Sequence, residues 1–171
     1  RILKPTRILE SGTFKGWSSS YMAAALMKNG FGSIDTIEFD DHHWQDAENL
    51  WAILEVSNYI NLHKMRVEDF NPTGVYDLLF LDSEPEFRWG ELERFYDLLK
   101  PGGYVFIHDL PRSFCIGNFN SDHPNFKNWP FGEIPERIKE LMRIKELSIF
   151  HFPNPREMVG MYRARPDDYK I

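Results

Sequence analysis

The stretch Arg7-Ile8-Leu9-Glu10-Ser11-Gly12-Thr13-Phe14-Lys15-Gly16, followed by Trp17-Ser18-Ser19-Ser20, decides the fold. Arg7 to Glu10 reads as a short buried strand. Gly12 and Gly16 permit positive φ and let a ligand approach the backbone closely. A helix from Trp17 to Lys28 opens directly behind them and ends at Asn29-Gly30. Free N–H groups at such a helix start suit a carboxylate or phosphate. On these residues alone a plain tight strand-to-helix turn remains open.

Outward from this unit, apolar runs alternate with helix-like segments, the pattern of a mostly parallel sheet covered by helices. Ser33 to Glu38 is a second strand, and Asp40 or Asp41 caps a helix running through Trp44, Leu50 and Leu54. A third strand is expected over Leu62 to Val67. Val75-Tyr76-Asp77-Leu78-Leu79-Phe80-Leu81-Asp82 is nearly all apolar and ends in a carboxylate, as for a central strand buried on both faces. From Phe87 to Leu99 the apolar positions follow a helical period, and Lys100-Pro101-Gly102-Gly103 turns the chain into a strand from Tyr104 to His108. Residues 109 to 130 form a loop long enough to be a functional lid or a disordered stretch. A helix over Ile134 to Ile144 follows. Strands Glu146 to Phe152 and Met158 to Arg163, around Pro153-Asn154-Pro155, form a hairpin.

The chain has 171 residues, enough for a single domain with its own core. Its net charge of −6 argues against a sequence-independent grip on nucleic acid or an anionic membrane, both of which need basic surface. The partner is expected to be a small molecule, with self-association as a homo-oligomer left open. Aromatic residues make up 15% of the chain, enough for some of them to line a pocket. The single cysteine, Cys115, cannot form an internal disulfide and excludes a cysteine-based zinc cluster, which together point to a reducing compartment such as the cytoplasm. No apolar run is long enough to span a bilayer. Almost nothing precedes the first strand, so an N-terminal segment is expected to be missing.

The glycine loop is not the dinucleotide fingerprint, because Glu10 stands where that motif has its first glycine. A carboxylate here repels a pyrophosphate and suits an ammonium group. Glu38, at the tip of the second strand, is placed to accept both hydroxyls of a ribose. An exposed loop acid is the plainer alternative for Glu38, and a helix cap for Asp40 and Asp41.

With these residues in hand, the chain resembles the class I S-adenosylmethionine-dependent methyltransferases. Ile8 to Gly16 is similar to that family's first motif and Ile37-Glu38 to its ribose-binding acid. Tyr76 to Asp82 resembles the fourth-strand motif, and Leu98-Leu99-Lys100-Pro101-Gly102-Gly103 matches the turn before the fifth strand. The resemblance covers residues 7 to 110. It implies a Rossmann-like, seven-stranded, mostly parallel sheet with helices on both faces and a final antiparallel hairpin. It also implies S-adenosylmethionine as cofactor. The backbone of Ser11 and Gly12, in the loop that continues through Thr13 to Gly16, would hold the methionine part beside Glu10. Glu38 would hold the ribose, and Val67 with Glu68, at the end of the third strand, would flank the adenine. Glu68 and Asp69 match only in spacing.

Three further residues end strands on the ligand side: Asp82 after the fourth, and His108 with Asp109 after the fifth. They are expected to converge by the donor methyl. Their placement resembles the metal site of catechol-type and sugar O-methyltransferases, where a divalent ion lowers the pKa of an acceptor hydroxyl. His108 departs from that pattern, since an oxygen ligand is usual there and imidazole suits zinc, iron or manganese better than magnesium. Two other readings stay open. His108 is a general base oriented by Asp82 or Asp109, or it merely closes its strand while Asp109 starts a turn.

His42-His43 reads as a surface helix start, because adjacent helical residues face different ways. Arg88 and Trp89 either reach the pocket or begin the next helix. Arg112, Phe114, Asn118, His123 and Trp129 are candidates for gripping an acceptor. The expected reaction is O-methylation of a sugar-like or phenol-like hydroxyl. The alternatives are a cofactor-binding module without transferase activity and, against the evidence of Glu10, a nicotinamide-dependent oxidoreductase.

Overall fold

Arg7–Ser11 forms strand β1, Ser33–Glu38 β2 and Ile60–Lys64 β3, with helices Trp17–Asn29 (α1) and Asp41–Ile53 (α2) between them. Tyr76–Leu81 is β4, Arg88–Phe95 helix α3, Leu99–His108 β5, Glu136–Arg143 helix α4, Leu147–Phe152 β6 and Met158–Arg163 β7. These elements come from a computed structural model that describes residues 3–110, 133–152 and 158–168. The strand order β3-β2-β1-β4-β5-β7-β6 makes one seven-stranded sheet, and the Rossmann-like expectation holds. The chain divides into two compact units, residues 1–79 and 80–171.

In the first unit β1 pairs in parallel with β2, and β2 with β3. β1 and β2 are buried along nearly their whole length, polar Glu10, Asp35, Thr36 and Glu38 included. Leu9, Ile34 and Ile37, Ala23 and Leu26 of α1 and Trp51 of α2 are all buried in this unit's core. Helix α2 begins where Asp40 accepts from the backbone N–H groups of His42 and His43, so Asp40 rather than Asp41 is the cap. One polar knot sits at the other end of these strands. Asp35 accepts from the Arg7 guanidinium at 2.6 Å, the Tyr76 hydroxyl at 2.9 Å and the Asn61 amide at 3.2 Å, and pairs with the His63 ring at 3.2 Å.

In the second unit β7 runs antiparallel between β5 and β6. Val105, Ile107, Val159 and Met161 on one side of these strands are fully buried, as are Leu92 and Phe95 of α3 and Ile138 of α4. The opposite side carries an aromatic row in which Tyr104, Phe106, Phe150, Phe152 and Tyr162 meet ring against ring. Gly160 lies beneath it, where a Cβ would come within 2.2 Å of the Phe150 ring.

Several boundaries differ from the sequence expectation, two of them most clearly. The third strand covers Ile60–Lys64 rather than Leu62 to Val67, and Val67–Asp69 forms a short 3-10 turn. The cause is the polar, half-exposed character of Asn61, His63 and Lys64, which hides an edge strand from any apolar pattern. The second is Lys100-Pro101-Gly102-Gly103, which lies inside β5 instead of before it. The helical run ends earlier, in a 3-10 turn at Tyr96–Leu98, and Leu99 is already extended. Only Gly102 leaves strand geometry, at φ 84°, and the pairing with β7 begins at Tyr104.

Candidate functional site

The first constellation is the loop between β1 and α1. Gly12, Phe14 and Gly16 all adopt left-handed backbone, at φ 83°, 49° and 78°. The turn is pinned to the end of β2, where the Ile37 carbonyl accepts from the N–H groups of Gly12 and Thr13, each at 3.2 Å. The Phe14 N–H donates to Glu38 Oε2 at 2.8 Å, while Glu38 Oε1 accepts from Phe39 at 3.0 Å and Asp40 at 2.9 Å. Glu38 therefore closes the loop and the strand tip on one carboxylate. It is 8% exposed.

Glu10 is fully buried beneath the loop. The Ser18 hydroxyl donates to its Oε1, and Thr36 Oγ1 donates to its Oε2 at 2.6 Å. Because the single Thr36 proton is used there, the Thr13 hydroxyl, 2.6 Å away, is the donor in the Thr13–Thr36 pair. Hydroxyls thus meet both carboxylate oxygens, and Ser18, Thr36 and Thr13 form a network that adjacent positions in sequence do not reveal.

The glycines serve different ends. A Cβ on Gly16 would sit 2.7 Å from Trp51 Nε1 and 2.8 Å from the Ala47 Cβ, and the Trp51 indole donates to the Gly16 carbonyl at 3.1 Å. Gly16 is thus required by the packing of α2. Helix α1 starts at Gly16 without a side-chain cap and without an acid in its first turn, so the N–H groups there remain available to an anion. Ser19 Oγ, in the same turn, is buried without a hydrogen-bond partner among the described residues. Val67 is half-buried and Glu68 exposed, both in the 3-10 turn beyond β3 and not at a strand end. His42 and His43 open α2 as expected, and the His43 ring meets the Phe14 ring edge-on at 4.4 Å.

The second constellation lies in residues 80–171. Asp82 follows β4, His108 ends β5, and Asp109 comes next with φ 50°, a strained value for a residue with a side chain. His108 Nδ1 lies 3.1 Å from Asp82 Oδ1 and 3.3 Å from Asp109 Oδ2. One ligand atom from each of the three can be chosen so that all lie within 4.8 Å of one another, the only such metal-competent group among the described residues. Hydrogen bonds to Asp109 and then Asp82 push the His108 pKa up to about 9, against the opposing effect of burial. The two carboxylates thus favour the protonated imidazole.

Sequence reasoning gave little weight to Arg88, which is 4% exposed and joins this cluster. Its Nε donates to the Ser83 carbonyl at 2.8 Å, one Nη to the His108 carbonyl, and the other Nη to Asp82 Oδ1 at 3.3 Å. Burial pulls its pKa down, and the charges of Asp82 and Asp109 oppose this only in part. No composition or period marks a buried arginine. Its one sequence signal is a position a few residues beyond the Asp82 strand end. Trp89 is a core residue of α3. Arg112, Phe114, Cys115, Asn118, His123 and Trp129, the remainder of the long loop to residue 130, and the turn Pro153-Asn154-Pro155 lie outside the described residues.

Against this geometry, a family model described as a methyltransferase domain matches residues 9–110. A catechol O-methyltransferase of Niastella koreensis is 25% identical over 135 residues, covering 72% of this chain and 58% of that relative. The chain thus spans little more than half the length of that enzyme. Among solved structures, the O-methyltransferase TomG of Streptomyces achromogenes, involved in tomaymycin synthesis and in complex with SAM, superposes with a TM-score of 0.71 at 21% identity, over 96% of this chain and 75% of that one. The SAH-bound methyltransferase PaMTH1 of Podospora anserina gives 0.73 at 19% identity, over 95% and 73%. These likenesses are to the fold.

Proposed function

Because this chain belongs to the methyltransferase-domain family, we propose that it transfers the methyl group of S-adenosylmethionine to a hydroxyl of a small acceptor, with residues 1–171 acting as one methyltransferase domain. The observation that carries the acceptor chemistry is the convergence of an imidazole and two carboxylates at the ends of β4 and β5.

The residues of the first unit fit the cofactor. An amino-acid carboxylate is the anion that the uncapped start of α1 favours, with the unpartnered Ser19 hydroxyl in the same turn. The Glu38 carboxylate matches a vicinal diol, and its existing bond to the Phe14 N–H would keep the loop shaped around it. The Glu10 carboxylate, engaged by Ser18 and Thr36, holds the floor of the loop. When bound, S-adenosylmethionine would supply a sulfonium methyl carbon to which an acceptor oxygen bonds as the carbon–sulfur bond breaks, with S-adenosylhomocysteine as the leaving group.

In the second unit the acceptor hydroxyl has to lose its proton, and Asp82, His108 and Asp109 are the groups for that. One nitrogen and two carboxylate oxygens are a donor set for a divalent first-row ion, and Asp82 Oδ1, His108 Nδ1 and Asp109 Oδ2 would hold it. Such an ion, when bound, supplies Lewis acidity that lowers the pKa of a hydroxyl. The chain's own part is to fix those donors and to keep the His108 proton at Nδ1 between the carboxylates until it is displaced.

The test is calorimetric titration with S-adenosylmethionine, followed by assay of S-adenosylhomocysteine against a panel of sugars and phenols, with added manganese and with chelator. Glu38→Ala is expected to weaken cofactor binding several-fold, and Asp82→Asn to abolish the manganese dependence. Undiminished affinity in Glu38→Ala removes the ribose assignment. Cofactor binding with no homocysteine product from any acceptor leaves a binding module instead. Product formed equally with manganese and with chelator assigns proton removal to the cluster of Asp82, His108 and Asp109 without an ion.

A further inference from the structure

We propose that Arg88 is a positioning residue, which fixes the relative placement of Asp82, His108 and Asp109 by gripping both strand ends from within the protein. This rests on the reading of that cluster as the acceptor-activating group.

Three different nitrogens of one planar guanidinium meet three acceptors on two separate chain segments: the Ser83 carbonyl and Asp82 carboxylate beyond β4, and the His108 carbonyl at the end of β5. The third of these is the informative one. The His108 carbonyl belongs to the peptide that joins His108 to Asp109, and Asp109 holds a left-handed φ of 50° that an aspartate adopts only at a cost. A hydrogen bond to that carbonyl fixes the peptide plane on which the turn depends. The turn in turn sets Asp109 Oδ2 at 3.3 Å from His108 Nδ1. At the other end, Asp82 is held both by Arg88 and by His108 Nδ1 at 3.1 Å, so both of these groups bear on the same oxygen.

The burial of Arg88 is not explained by stability. Placing a charged group at 4% exposure is costly, and an apolar side chain of similar volume is often as stable or more so at such a position. Lysine is not equivalent either. Its ammonium carries all three donors on one atom, whereas these acceptors are met from three corners of a fork. What the guanidinium adds is geometry, with one positive charge set among Asp82, Asp109, Glu91 and Glu84.

Arg88 touches neither acceptor nor methyl in this account, so its test needs a readout that folding alone would not move. In uniformly nitrogen-15-labelled protein at a fixed neutral pH, the His108 ring signals are expected to shift in Arg88→Lys. Affinity for S-adenosylhomocysteine should stay within about twofold, and kcat with the wild-type's best acceptor should fall at least tenfold at unchanged KM for the cofactor. His108 signals that coincide with wild type in a folded Arg88→Lys protein overturn the proposal. Should the variant not fold, the wild type still decides. The Arg88 Nε–H is expected as a resolved, slowly exchanging resonance, and exchange as fast as that of a surface arginine refutes the clamp. Shifted His108 signals in a protein that shows no turnover with any acceptor would instead sink the functional reading while leaving the clamp intact.

Discussion

Replacing Gly16 by alanine is the sharpest structural perturbation this loop offers. Two costs add. Alanine at φ 78° pays about 1–2 kcal/mol for left-handed backbone. Its Cβ then meets Trp51 Nε1 at 2.7 Å, the Ala47 Cβ at 2.8 Å and the Ala47 Cα at 3.0 Å. Two of these are α2 atoms next to the backbone, which yield only if the helix moves, and such overpacking costs about 1–3 kcal/mol. The indole cannot swing aside without losing its bond to the Gly16 carbonyl. The expected loss is about 2–5 kcal/mol, read from urea unfolding followed by tryptophan fluorescence. In a Trp51→Phe background the penalty of Gly16→Ala should be smaller, since the closest of the clashes is gone. A loss below about 1 kcal/mol would mean that α2 does not press on this glycine and that its role lies with a ligand after all.

Three other outcomes follow from the same geometry. The raised His108 pKa makes stability pH-dependent with a definite sign: the extra stability is fully present below the unfolded value of 6.5 and is lost as pH rises through about 9. Its size is on the order of 1–3 kcal/mol, seen in urea unfolding of chelator-treated protein across that window, and a His108→Gln protein that loses just as much there refutes the assignment. Divalent ions compete with that proton, so manganese affinity followed by calorimetry should strengthen with rising pH, and a flat profile argues against His108 as a ligand. Asp35→Ala, which strips Arg7, Tyr76 and Asn61 of their shared acceptor, should cost on the order of 2 kcal/mol with cofactor affinity unchanged. A large loss of affinity in folded protein would tie that knot to the cofactor loop.

The sequence by itself determined the succession of most strands and helices. β2 at Ser33–Glu38 and β7 at Met158–Arg163 have the bounds their residues imply, and β4 differs from expectation by one residue at each end. β4 shows the clearest case, since a nearly all-apolar run such as Tyr76–Leu81 marks a buried strand without any knowledge of its neighbours. β3 slipped because an edge strand carries polar, half-exposed side chains. The strand-end positions of Asp82, His108 and Asp109 were legible too, since a carboxylate or imidazole closing an apolar run stands out.

Only the tertiary structure decided what those groups touch. Glu10 meets Ser18 and Thr36, Gly16 meets Trp51, and Arg88 binds the carbonyls of Ser83 and of His108, the latter twenty residues beyond it in sequence. Hydrogen bonding and steric exclusion act over a few ångströms between residues that the chain holds far apart. A sequence records which groups exist and the period on which they recur, and their partners are set when the strands and helices come together.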